Sequence, residues 1–68
     1  MNRVFTYNHD GTIYILLYKY IRNNLKVYIF REEVIYGWKP ENKLPVGKKI
    51  IINERTGIPF LKSKNEKL

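Results

Sequence analysis

The chain has 68 residues, no cysteine, no alanine and no glutamine, and 13 Lys or Arg against 6 Asp or Glu give a net charge of +7. That length allows one domain with one modest core, and the missing cysteine excludes a disulfide framework, a thiolate nucleophile and a Cys-based zinc site. The bias to β-branched and aromatic residues argues for strands over long helices, and the charge suits a polyanionic partner.

Asp10-Gly11 is a two-residue turn signal near the N-terminus. It pairs Thr12 with His9, Tyr14 with Tyr7, Leu16 with Phe5 and Tyr18 with Arg3, and sets Val4 and Thr6 beside Leu17 and Ile15. The stretch that follows, TIYILLYKYIRNNLKVYIF over 12–30, reads as a second hairpin. Its linker is Arg22, Asn23 and Asn24, and a three-residue loop with Asn24 in the left-handed region pairs Ile21 with Leu25, Tyr18 with Tyr28, Leu17 with Ile29 and Leu16 with Phe30. A two-residue loop would pair Tyr20 with Val27 and mix the faces, and a one-residue slip inverts a strand's pattern. Alternation then gives one aliphatic face, with Val4, Thr6, Ile13, Ile15, Leu17, Ile21, Val27 and Ile29. The other face carries Arg3, Phe5, Tyr7, Tyr14, Leu16, Tyr18, Tyr20, Lys26, Tyr28 and Phe30. The aliphatic face is the natural core; the aromatic face is either a second buried layer or an exposed platform.

Residues 31–38, REEVIYGW, read as a bend at the end of the third strand, with a single helical turn as the alternative. The bend sets Val34, Tyr36 and Trp38 to one side and Ile35 to the other, with Gly37 as a kink. Residues 39–47, with Pro40, Pro45 and Gly47, form a loop. Residues 48–52 resume a strand, 53–57 turn, and 58–61 form a short last strand that Pro59 confines to an edge. The expected fold is therefore all-β: a small single-domain antiparallel sheet or barrel of about five strands, SH3-like as first choice and OB-like as second. The domain covers 1–61, and 62–68 is a flexible basic tail. No apolar stretch has the length of a membrane span, and the N-terminus lacks a signal-peptide core. These features suggest a cytoplasmic protein with no membrane partner.

The aromatic face is the main candidate for function. Bases stack on aromatic rings while Lys and Arg hold phosphates, so Arg3, Tyr7, Tyr14, Tyr18, Lys26 and Tyr28 suit a nucleic acid. The competing reading is that these tyrosines fill space with their hydroxyls at the rim. Trp38 is either an anchor for a base or partner or a lid on the core, and Lys48 and Lys49 add positive charge. His9 beside Asp10 is neither a metal site nor a triad. Glu32 and Glu33 point to opposite faces of a strand and so make no acid–base pair. With no phosphate-binding glycine loop, the chain reads as no enzyme, with no metal and no cofactor.

Two fragments, YKYI (Tyr18 to Ile21) and W-K followed by LPVGKK (Trp38-Lys39, then Leu44 to Lys49), resemble the N-terminal arm-type DNA-binding domain of conjugative-transposon (tyrosine recombinase) integrases. The resemblance implies a three-stranded sheet packed on a C-terminal helix, with the sheet in the major groove. It implies Tyr18, Lys19, Tyr20, Trp38 and Lys39 on or near the DNA, and Lys48 and Lys49 near the backbone. The functional expectation is a small basic nucleic-acid-binding domain for DNA or RNA. The alternative is a protein-binding module or inhibitor of a host protein, of the kind carried by phages and mobile elements, or a homodimer burying the aromatic face.

Overall fold

The computed structural model of the chain describes residues 3–64. Asp10 and Gly11 adopt positive φ angles of 54° and 87°, the pair of left-handed residues that a type I′ turn needs to match the twist of its strands. This turn joins β1 (Thr6–His9) to β2 (Thr12–Ile21), with His9 opposite Thr12 and Tyr7 opposite Tyr14. The Asn8 side chain steadies the turn by accepting a hydrogen bond from the Gly11 amide at 3.2 Å. A single 3₁₀ turn over Arg22–Asn24 leads into β3 (Leu25–Arg31). Both Asn23 and Asn24 are left-handed there, at φ 62° and 58°; asparagine tolerates that region better than most residues. Pairing runs from Ile21 opposite Leu25 through Tyr18 opposite Tyr28 to Ile15 opposite Arg31, the register of the three-residue loop.

The third strand ends at Arg31, and the chain bends at Glu32 and Glu33. No helical turn forms there. The Trp38 amide donates to the Ile35 carbonyl at 3.2 Å, and Gly37 takes φ 88°, a conformation suited to the third position of a type II turn. The chain then returns along β2 as β4 (Lys39–Pro40), pairing Leu17 with Pro40 and Tyr18 with Lys39. Two expectations change here. Residues 39–47 are not all loop, and Arg3 does not pair with Tyr18. The β1 ladder closes at Phe5, where the Leu16 amide donates to the Phe5 carbonyl at 3.0 Å. Beyond it, the Phe5 amide donates to the Glu41 carbonyl and the Glu41 amide to the Leu16 carbonyl, each at 2.8 Å. One edge of β2 is thus shared by β1 and β4. Pro40, which has no amide hydrogen, is tolerated because the outer side of that strand needs no further ladder.

The remaining strands, β5 (Lys48–Ile52) and β6 (Pro59–Ser63), form a separate antiparallel ribbon. Asn53 organises the turn between them: its Oδ1 accepts from the amides of Arg55 and Thr56 at 2.9 and 3.3 Å. The last strand continues past Leu61, since Lys62 pairs with Lys49 and Ser63 with Lys48. Lys62 and Ser63 are therefore strand rather than tail, and the Lys64 amide donates to the Gly47 carbonyl at 2.9 Å; the rest of the expected tail, 65–68, lies outside the described residues. The fold is all-β and antiparallel, a four-stranded sheet plus a two-stranded ribbon. The ribbon occupies the part of the chain where the integrase resemblance would put a helix. Among the described residues no helix is long and apolar enough to cross a membrane.

The core differs from a simple aliphatic face. Leu17 on that face is fully buried, but so are Leu16 and Phe30 on the aromatic face, together with Pro59 of β6. β6 lies against β3, and side chains on both faces of the sheet are buried at its middle. Ile13, Ile21 and Leu25, by contrast, are 57%, 41% and 56% exposed. Length accounts for this: at about 3.3 Å per residue, the ten residues of β2 make a strand about as long as the molecule's largest extent of 30 Å. Its ends project past whatever covers its centre.

Candidate nucleic-acid interface

Strand pairing assembles the tyrosines. Tyr18 lies opposite Tyr28, and Tyr20 opposite Lys26, so all four side chains share one face. The Lys26 ammonium sits 4.3 Å from the Tyr18 ring centroid, 5.4 Å from that of Tyr28 and 5.9 Å from that of Tyr20. Tyr18 and Tyr20 meet edge to face at 6.1 Å. The β4 register puts Glu41 opposite Leu16, on this same face, and its Oε2 accepts a 2.8 Å hydrogen bond from Lys26 Nζ. That hydrogen bond raises the Lys26 ammonium above the ordinary lysine range; partial burial opposes it and the Glu41 charge adds to it. Because the value is raised, the contribution to stability is complete below the unfolded lysine value and is lost only as the pH climbs through the folded one. It is therefore constant across the neutral range.

Lys26 is thus a fixed, neutralised cation on a tyrosine base. It tethers the returning 39–41 segment to the sheet and is poorly placed to serve as a free phosphate ligand.

The open part of this face lies along the β4 edge. One cleft, of about 530 Å³, is lined by Arg3, Tyr18, Glu41, Asn42 and Lys43 among others. A second, of about 240 Å³, is lined by Tyr18, Lys19, Tyr20, Gly37 and Lys39. Tyr18 belongs to both. The two clefts therefore form a strip past an aromatic floor, with Arg3 and Lys43 at one end and Lys39 at the other; Lys19 lines the second cleft, but its ammonium lies on the Trp38 ring. Tyr20 is 60% exposed.

Of the residues that the sequence suggests, Tyr18, Lys26 and Tyr28 come together, and Arg3 stands at the rim of the first cleft. Tyr7 and Tyr14 pair with each other on the same face, but Tyr14 is four residues, roughly 13 Å, along β2 from Tyr18. Tyr7 packs its ring on Phe30 at 6.3 Å, a packing role. Trp38 belongs to the opposite face. The β4 register sets it across from Lys19, whose ammonium is 4.8 Å from the indole centroid. Lys48 and Lys49 lie on the separate ribbon, opposite Ser63 and Lys62. The suggested set is therefore split among three places.

Lys19, Tyr20 and Lys39, implicated only by the family resemblance, line the strip. Glu41, Asn42 and Lys43 were not foreseen; the one available signal was a lone carboxylate in the run K-P-E-N-K. Among the described residues no group of three His, Cys, Asp or Glu side chains could hold a metal ion. No family model, curated protein or solved structure matches this chain.

Proposed function

We propose that the protein binds single-stranded or locally unpaired nucleic acid along the Tyr18–Tyr20 strip. The observation that carries this reading is the pair of clefts meeting at Tyr18, with tyrosine rings as floor and the basic side chains of Arg3, Lys39 and Lys43 at the rims. Aromatic rings accept bases of any sequence by stacking, while rim cations track the phosphates. The charge balance supports it: among the described residues only Lys26 has a carboxylate partner, which leaves Arg3, Lys39 and Lys43 to engage phosphates.

The test is anisotropy of labelled single strands and duplexes at 50 and 200 mM salt. Three phosphate contacts, from Arg3, Lys39 and Lys43, give a logarithmic salt slope of about −2, or about a twentyfold loss of affinity over that range. Lys43→Ala is expected to shorten the slope by about 0.7, and Lys48→Ala to leave it unchanged. Binding insensitive to salt, or duplex bound as well as single strand, would contradict the reading.

A second reading rests on the opposite face, where Ile13, Ile21 and Leu25 are exposed. Such apolar exposure suits a protein partner or a second copy of the chain. Sedimentation of wild type against Leu25→Lys distinguishes self-association from a monomer.

A further inference from the structure

Glu41 is a carboxylate inside a cleft whose rim is basic, and that contrast bears on what the cleft accepts. Its backbone is fixed by hydrogen bonds to Phe5 and Leu16. Its Oε2 is held by Lys26 and its Oε1 accepts from the Asn42 amide at 3.2 Å. The side chain is only 16% exposed, and it still lines the first cleft beside Tyr18. An ionised carboxylate has about four acceptor sites, so each oxygen keeps capacity for one more donor.

A phosphate is repelled from such a wall, and a lysine or arginine side chain is repelled by Arg3 and Lys43 at the rim. The group that fits is neutral, flat and rich in N–H donors: the edge of a nucleobase stacked on Tyr18, its phosphates out among the cations. Carboxylates read exocyclic amines on base edges, and unpaired bases offer their Watson–Crick edges. Guanine presents two adjacent donors there, its N1–H and N2 amine, matching the two carboxylate oxygens. Thymine and uracil present one N–H between two carbonyl oxygens, which face the carboxylate unfavourably.

We infer that the Arg3–Tyr18–Glu41–Lys43 cleft is a base-selective subsite that takes guanine first and rejects thymine or uracil, with Glu41 as the discriminating residue. This rests on the nucleic-acid reading above. The geometry is pre-set, because the carboxylate is already fixed by Lys26 and by its own backbone, so little ordering is required on binding.

The experiment measures binding of thymidine nonamers that carry one central guanine, cytosine, adenine or thymine, to wild type and to Glu41→Gln. Wild type is expected to favour the guanine nonamer over all-thymidine by about tenfold or more. In Glu41→Gln that preference is expected to fall to about twofold or less, with all-thymidine binding equal or tighter because Lys26 loses its partner charge. A circular-dichroism melt of each protein establishes that both are folded. Equal binding of all four nonamers by wild type, or an unchanged guanine preference in folded Glu41→Gln, overturns the base-selective subsite while leaving the binding reading in place. Absence of binding to every nonamer at 50 mM salt overturns both. Should Glu41→Gln fail to fold, the wild-type ratio of guanine to thymine still decides, and substituting inosine tests the contact from the ligand side. Inosine lacks the N2 amine and is expected to lose most of the advantage; inosine bound as tightly as guanine overturns the two-donor contact.

Discussion

Phe30→Ala is expected to cost about 3–5 kcal/mol of folding stability. Phe30 is 1% exposed and lies opposite Leu16, itself fully buried. Its ring meets Phe5 at 6.5 Å and Tyr7 at 6.3 Å, both tilted, so truncation opens a cavity against side chains from β1, β2 and the segment before β1. At about 0.05–0.15 kcal/mol per residue, a chain of this size has only about 3–10 kcal/mol in total. The variant is therefore expected to be largely unfolded or to melt far below wild type, as urea titration followed by circular dichroism would read. Ile13→Ala is the control. Ile13 is on β2 but 57% exposed, and its loss is expected to change stability by no more than about 0.5 kcal/mol. Equal costs at the two positions would mean that the core lies elsewhere.

The second large effect concerns binding. Tyr18→Leu with Tyr20→Leu keeps apolar bulk at both positions and removes two π-faces. Each stacked base contributes about 1–3 kcal/mol, so the double variant is expected to lose roughly thirtyfold or more in affinity for single strands, with its salt slope little changed because no rim cation is removed. The combination is diagnostic: a fall in affinity with an unchanged slope reports stacking, whereas a shortened slope reports lost phosphate contacts. Retained affinity in the folded double variant would remove the tyrosine floor from the interface.

Much of the sheet was legible in the sequence because its two hairpins are local. Asp10-Gly11 and Arg22-Asn23-Asn24 set the registers, and alternation along 12–30 then sorted the faces. The strands at 48–52 and 58–61 followed from β-branched runs around a turn.

What escaped was non-local. Lys39–Pro40 is too short for any periodicity, contains a proline, and is held by pairing to Leu17 and Tyr18 some twenty residues away. Without that register, Glu41 cannot be placed under Lys26, nor Trp38 assigned to the face of Lys19. Alternation also states which side chains share a face but not which face is covered. The aliphatic side was therefore expected to be the core, while Leu16 and Phe30 on the other side proved as buried as Leu17. The candidate site suffered most from this gap. Tyr18, Lys26 and Tyr28 were identified from the hairpin, but the β4 strand converts Lys26 into a tether and brings Lys39, Glu41 and Lys43 to the face instead. Past Gly37 the chain direction depends on a positive φ, and that turn moves Trp38 to the opposite face from the tyrosines.

The most direct measurement is an amide-resolved NMR titration of the protein with an unlabelled single-stranded nonamer containing one guanine. The expected result is a contiguous set of shifted amides at Tyr18, Tyr20, Lys39, Glu41 and Lys43, with Lys48, Lys49 and Arg55 on the ribbon unmoved. Shifts centred on the ribbon or on the Ile13 and Leu25 face, or no shifts at low salt, would contradict a nucleic-acid interface built on Tyr18.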